Sequence, residues 1–249
     1  MSKVPLVLLL TVLLSLALPA SAGEACVILL HGLGRSDGSM EKLAEAIHEA
    51  GYDTINVDYP STEYPIETLA GRAIAPALDR CGSAAEINFV THSMGGILVR
   101  QYLSRVPIEN LGRVVMLGPP NNGSEVVDRL GDFPGFHFVL GDAGLQLGTG
   151  PMSIPNRLGA ANFDVGIIAG TRSINPVLSQ MIPATDDGKV SVQSTRLEGM
   201  RDHISMPVTH VFMMKSDAVI AQVIHYLRHG SFRRQETPLE QGPARTKLN

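Results

Sequence analysis

Hydrophobic residues along this chain follow two alternating patterns, which predict strands and helices in turn. Short apolar runs, typical of strands buried on both faces, occupy residues 25–30, 54–59, 86–91, 114–117 and 165–169. Between them, apolar residues recur every three or four positions, the period of amphipathic helices, over 39–50, 66–80, 95–106 and 218–228. The pattern predicts an α/β fold with a doubly wound, mostly parallel sheet. A functional site is expected at the carboxyl ends of its strands.

Three segments depart from this rhythm. Residues 121–162 are rich in glycine and proline, and their length predicts a small cap or lid inserted into the domain. Residues 231–249 are polar and interrupted by proline and glycine, so we expect a loose tail. Pro76 is expected to kink the second helix or to mark a new first turn. Residues 23–230, including the cap or lid, are predicted to form one domain.

The amino terminus carries an export pattern. Lys3 precedes an apolar stretch that ends in small residues at 20–22, which predicts a signal peptide cleaved after Ala22. A membrane anchor is the alternative, but the stretch is short for a span of about 20 residues. We therefore expect a periplasmic or secreted protein.

An oxidising compartment would allow the two cysteines to pair. Cys26 opens the first predicted strand and Cys81 lies just before the third. If those strands are neighbours, both thiols lie at one end of the sheet and a disulfide is expected. Two free buried thiols are the alternative.

Composition and charge exclude several classes of protein. With 44% hydrophobic residues the chain can fold around a core, so it is not disordered. The 20 basic and 24 acidic residues give a net charge of −4, and no long basic run marks a nucleic-acid binder. The sequence also contains no zinc motif, no nucleotide-binding loop and no Rossmann fingerprint, so no metal or cofactor is predicted.

The most informative motif is a serine between a strand and a helix. Residues 91–96 read Thr-His-Ser-Met-Gly-Gly, the context of a nucleophile elbow, in which a sharp turn exposes the hydroxyl of Ser93. The N–H of Met94, at the helix N-terminus, could stabilise an oxyanion. Thr91 stands where glycine or alanine is usual, and it should crowd the turn. A serine that only caps the helix is the alternative.

A glycine-rich turn follows the first strand. Residues 31–34 read His-Gly-Leu-Gly, and together with the elbow about sixty residues later they make the Leu33 N–H a candidate second oxyanion donor. We expect His31 and His92, which flank the site, to serve packing or loop hydrogen bonds.

Residues 27–34 and 91–96 together resemble the α/β-hydrolase superfamily, in particular its bacterial lipases and esterases. The resemblance implies that serine, acid and histidine follow one another along the chain. Residues 186–190 resemble the Asp-Gly-x-Val loop of that family, which selects Asp187 over Asp186 as the acid. A surface turn is the alternative for this segment.

Chain order leaves four histidines as candidates for the base: His203, His210, His225 and His229. His210 lies 23 residues past Asp187 and ahead of the last helix, like the family's histidine loop, and we prefer it to His203. Related lipases hold calcium partly through an acid two positions after this histidine. Here that residue is Phe212, so no such site is expected.

The resemblance implies a serine hydrolase that cleaves carboxylic esters through an acyl-enzyme on Ser93. Expected partners are a small-molecule ester or lipid and, transiently, a lipid surface. Residues 118–124 resemble the loop that lines the acyl pocket, although turn chemistry alone explains them. A non-catalytic lipid- or partner-binding protein on the same fold is the alternative. The substrate's chain length, its binding residues and the oligomeric state stay open.

Overall fold

The computed structural model describes residues 25–131 and 135–234, which contain one six-stranded sheet flanked by helices. The strands are β1 (Ala25–Leu30), β2 (Asp53–Val57), β3 (Glu86–His92), β4 (Leu111–Leu117), β5 (Val165–Gly170) and β6 (Asp202–Met206). They lie in the order β2-β1-β3-β4-β5-β6, and every neighbouring pair is parallel. The predicted parallel α/β sheet is confirmed.

The helices pack on both faces of this sheet. They are α1 (Glu41–Glu49), α2 (Ile66–Cys81), α3 (Met94–Leu103), α4 (Glu125–Leu130), α5 (Phe136–Leu145), α6 (Ile154–Arg157), α7 (Pro176–Ser179), α8 (Val192–Thr195) and α9 (Asp217–His229). In β1, Val27 and Leu29 belong to the core beneath α1 and α9, whereas Ile28 and Leu30 belong to the core beneath α2 and α3. This alternation is why β1 is apolar at every position.

The second helix was expected to kink at Pro76 or to begin a new first turn there, and α2 continues through Pro76 as one helix from Ile66 to Cys81, so no new helix begins at this residue. Pro76 is exposed, so water can hydrate the carbonyl that loses its N–H donor. The described part of residues 121–162, the segment that was predicted to form a small cap or lid, contains α4, α5 and α6.

The sequence pattern missed β6. Among the described strands this one pairs only with β5, at the edge of the sheet, and of its five residues only Ile204 is buried. A strand that is partly exposed on both faces carries few apolar residues, so it lacks the continuous apolar run that marks the inner strands.

Both predicted terminal segments fall largely outside the described residues: residues 1–22 entirely, and 235–249 of the tail. The first part of the tail is not loose. Phe232 is 4% exposed, its ring lies 4.7 Å from that of Tyr226, and its N–H donates to Asp202 Oδ2 at 2.8 Å. Burial of the Phe232 ring explains why the polar composition around it misled the prediction.

A disulfide joins Cys26, in β1, to Cys81, at the end of α2, with the two Cα atoms 5.8 Å apart. The expectation that both cysteines lie at one end of neighbouring strands is confirmed, since β1 pairs with β3. Within residues 25–131 and 135–234, no helix has the length and apolar character of a membrane span.

Candidate active site

Ser93 occupies a strained turn between β3 and α3. Its φ of 54° is the one positive value at a non-glycine residue in the described part of the chain. Such a conformation costs about 1–3 kcal/mol and is retained where the surrounding structure enforces it. Here the Ser93 N–H donates to Leu117 O at 2.8 Å, so β4 holds the turn against the sheet.

Close packing around the turn depends on glycine. A Cβ atom on Gly95 would lie 2.6 Å from the Leu30 carbonyl oxygen, so only glycine lets α3 approach the end of β1 this closely. Thr91, which was expected to crowd the turn, is fully buried. Its Oγ1 would lie 3.3 Å from a Cβ on Gly96, so the glycine at that position provides the room.

His210 connects Ser93 to an acid. The Ser93 hydroxyl donates to His210 Nε2 at 3.0 Å, and His210 Nδ1 donates to Asp187 Oδ2 at 2.7 Å. The His210 and Asp187 side chains are almost fully buried, whereas Ser93 is partly exposed. The structure thus brings together the three residues that the sequence analysis selected.

Asp187 is fixed by more than its bond to the imidazole. Its Oδ1 accepts the backbone N–H groups of Lys189 at 3.0 Å and Val190 at 2.9 Å. The His210 N–H also donates to the Asp187 carbonyl at 2.9 Å, so the two loops are joined by backbone as well as by side chains. This network holds the carboxylate with one oxygen facing the imidazole.

The alternative candidates for the acid and the base do not take part in this hydrogen-bonded series. Asp186 Oδ1 accepts the Gly188 N–H and the Ser179 hydroxyl, as a carboxylate does in a surface turn. His203 is in β6, with Nε2 2.9 Å from Thr195 Oγ1, and burial lowers its pKa to about 4. His225 and His229 contact each other on α9.

His92 and His31 support the site, as expected. His92 Nε2 donates to the His210 carbonyl at 2.9 Å, and burial lowers the pKa of His92, which keeps the ring neutral. His31 Nδ1 donates to the Gly32 carbonyl at 2.9 Å, and its ring stacks on Tyr59 with centroids 4.0 Å apart. Burial also lowers the pKa of His31.

The role of Gly118, which follows β4, was not predicted from the sequence. Its φ is 54°, and a Cβ there would lie 3.0 Å from Asp187 Oδ2 and 3.1 Å from His210 Nδ1. The absence of a side chain at this position therefore leaves room for the bond between the acid and the imidazole. The only sequence signal was a glycine directly after a buried strand, in a loop whose turn residues explained it equally well.

Ser93 and His210 lie in the wall of a cavity of about 250 Å³. Its apolar lining comes from the insertion and neighbouring loops, and the described residues are Leu33, Pro120, Val126, Val127, Leu130, Leu140, Leu147, Leu178 and Val190. The N–H groups of Leu33 and Met94 donate to no protein acceptor within the described residues. The predicted oxyanion donors are therefore unpaired within this part of the chain.

In the described part of the chain, no group of three or more His, Cys, Asp or Glu side chains could hold a metal ion. Phe212, where the related lipases place an acid, is 55% exposed.

Comparisons with known proteins agree with this architecture. A model described as the alpha/beta hydrolase family matches residues 27–230, which confirms the resemblance of the two motifs. No curated protein sequence matches the chain significantly.

Solved structures share the fold at low sequence identity. A mature lipase from Bacillus licheniformis has a TM-score of 0.68 and 20% identity over 85% of this chain and 95% of that one. Phospholipase PlaB from Legionella pneumophila has a TM-score of 0.66 and 16% identity over 84% of this chain and 60% of that one. An esterase from Pyrococcus furiosus has a TM-score of 0.58 and 17% identity over 82% of this chain and 82% of that one. At these identities the similarity describes the fold alone.

Proposed function

Because this chain belongs to the alpha/beta hydrolase family, we propose that it is a serine hydrolase that cleaves carboxylic esters. The observation that carries the proposal is the continuous hydrogen-bonded series from Ser93 through His210 to Asp187, beside an apolar cavity. Each member is oriented by the next, which is the arrangement that activates a serine hydroxyl.

In the proposed reaction, Ser93 Oγ attacks the ester carbonyl while His210 Nε2 accepts the hydroxyl proton. The tetrahedral intermediate collapses as the bond to the alcohol breaks, and His210 gives the proton to the leaving oxygen. Water then attacks the acyl-enzyme by the same route, which releases the acid and restores the Ser93 hydroxyl. Asp187 keeps Nδ1 protonated and stabilises the imidazolium that forms twice per turnover.

The oxyanion requires donors that are in place before the reaction begins. We assign this role to the Leu33 and Met94 N–H groups. Support comes from the close packing of the two loops, since a Cβ on Gly32, next to Leu33, would lie 3.0 Å from Ser93 Cβ. Met94 begins α3, so its N–H also lies at the positive end of the helix dipole.

The cavity suggests the kind of acyl group. Its apolar lining suits an aliphatic chain, and its volume of about 250 Å³ is below the roughly 300–1,000 Å³ of pockets for drug-sized ligands. We infer a short or medium chain. Similar folds in a lipase and a phospholipase agree with a lipid-like ester as the substrate. We also propose export to the periplasm or beyond, which the Cys26–Cys81 disulfide supports.

Two measurements on the purified protein test the proposal: hydrolysis of p-nitrophenyl esters from acetate to palmitate, and labelling by a fluorophosphonate probe. We expect octanoate and shorter esters to react faster than palmitate. Mass spectrometry should find one phosphonate per chain, on the peptide that contains Ser93. A protein that is folded by circular dichroism yet neither hydrolyses nor labels would instead be a non-catalytic lipid- or partner-binding protein.

Gly118→Ala is expected to lower kcat about tenfold to a hundredfold with little change in KM. The added methyl would push the Asp187–His210 pair from its position, and a displacement of about 1 Å can cost a hundredfold in rate. The control is Gly82→Ala at the end of α2. Gly82 has a similar φ of 57°, but a Cβ there would contact nothing within 4 Å. Equal kcat values for the two variants would contradict the assignment.

A further inference from the structure

Two positively charged side chains line the cavity that holds Ser93 and His210. They are Arg35, in the loop after β1, and Lys189, two residues past Asp187. Both residues are exposed, which places them at the solvent side of the site. No aspartate or glutamate is among the described residues that line this cavity.

The backbone of Arg35 is held in a tight turn. Its N–H donates to the Gly32 carbonyl at 3.3 Å, and the Gly34 N–H donates to Ser61 Oγ at 2.9 Å. Ser61 is itself buried, so the turn is fastened to the body of the domain. The guanidinium therefore projects from the loop that also carries the Leu33 N–H.

The backbone of Lys189 is fixed on both sides. Its N–H donates to Asp187 Oδ1 at 3.0 Å, and its carbonyl accepts the Ser124 hydroxyl at 2.9 Å. One contact joins Lys189 to the proposed acid and the other joins it to the start of α4. The ammonium group thus extends from a point that is fixed relative to Ser93.

The two cations repel each other and have no partner in the described part of the chain. Neither forms an ion pair or a side-chain hydrogen bond there, although other basic residues such as Arg113 and Arg201 do. Partial loss of hydration beside neighbouring protein atoms, followed by the nearby Arg35 charge, lowers the pKa of Lys189. Asp187 is the carboxylate that opposes this shift, but its oxygens are already engaged by His210 and by backbone N–H groups.

We propose that Arg35 and Lys189 bind a phosphate monoester carried by the leaving alcohol of the substrate. The inference rests on the proposed function and deepens it by naming the substrate class, an acylated alcohol phosphate. The apolar cavity takes the acyl chain, so the exposed cations face the alcohol side of the scissile ester. Their combined charge of +2 matches the charge of about −1.5 to −2 on a phosphate monoester near pH 7. A carboxylate or a phosphodiester would neutralise only one of them.

The test compares kcat/KM for four octanoyl esters that differ only in the alcohol: glycerol, glycerol phosphate, glycerophosphocholine and lactate. Concentrations are kept below those at which the esters form micelles, so that a charged lipid surface cannot produce the preference. We expect the glycerol phosphate ester to be preferred. The preference over the glycerol ester should fall about threefold in Arg35→Gln and in Lys189→Gln, and about tenfold in the double variant. Added salt should also reduce it.

The matched control is Arg157→Gln, an exposed arginine at the end of α6 that does not line the cavity. This variant should keep the wild-type preference. An equal rate for the glycerol and glycerol phosphate esters, or a preference that survives the double variant, would overturn the inference and leave the proposed function intact. Equal or better use of the lactate or phosphocholine ester would overturn the phosphate monoester assignment. If no ester is hydrolysed and Ser93 is not labelled, the proposed function fails and the inference fails with it.

Discussion

Replacing Ser93 with alanine is expected to lower kcat about a million-fold, to the residual rate that binding and the oxyanion donors provide. His210→Ala should cost about as much, because the serine hydroxyl at 3.0 Å then has no base. Asp187→Asn should lower kcat about ten thousand-fold, since an amide favours the wrong imidazole tautomer. Single-turnover release of p-nitrophenol measures all three.

The chain supplies its own controls for this experiment. Asp186 is adjacent to Asp187, but it accepts hydrogen bonds from a surface turn. His203 is the other histidine that the sequence analysis considered, and it contacts Thr195 instead of Ser93. Asp186→Asn and His203→Gln should therefore keep kcat within a few fold of the wild type. If either variant lost as much activity as Asp187→Asn or His210→Ala, the assigned roles would be wrong.

Arg100→Met is expected to lower the free energy of unfolding by about 3–5 kcal/mol. Arg100 lies in α3, is 5% exposed and has no carboxylate partner among the described residues. Its guanidinium donates to the carbonyls of Asn121, Pro155 and Gly159 and to Asn121 Oδ1, at 2.8–3.1 Å. Burial lowers its pKa to about 10. The variant would leave these acceptors unpaired in the interior.

Urea unfolding followed by circular dichroism measures this loss. The control is Arg105→Met, just past the end of α3, where the residue is exposed and the change should stay within about 0.5 kcal/mol. If both variants unfolded at the same urea concentration, the buried arginine would not fasten the insertion to the domain.

Five of the six strands could be predicted because short apolar runs mark them, most clearly in the inner strands that are buried on both faces, and the four helices α1, α2, α3 and α9 could be predicted from their amphipathic period. The helices α4 to α8 were not predicted. The serine motif was equally clear, since a strained turn between a strand and a close-packed helix requires glycine at positions 95 and 96. Both signals are local in the sequence. A single chain segment therefore suffices to recognise them.

The features that were missed depend on segments far apart in the chain. Asp187 and His210 leave no space for a side chain at Gly118, and the sequence around position 118 does not indicate this. The sequence around Arg100 is that of an ordinary helix, and the carbonyls that accept its hydrogen bonds belong to residues 121, 155 and 159. The edge strand β6 was missed for the same reason, because it joins the sheet through its pairing with β5, which is distant in the sequence.

The way Arg100 holds the insertion also bears on how this protein can change. Three of its four acceptors are main-chain carbonyls, which every amino acid provides, so the attachment depends little on which side chains the insertion carries. The cavity lining, in contrast, is made by side chains such as Val126, Val127 and Leu147. In the proposed enzyme, attachment of the insertion and selectivity for the acyl chain therefore depend on different parts of the chain. New acyl preferences could evolve by substitution in the lining while the insertion stays hydrogen-bonded to the helix that begins beside Ser93.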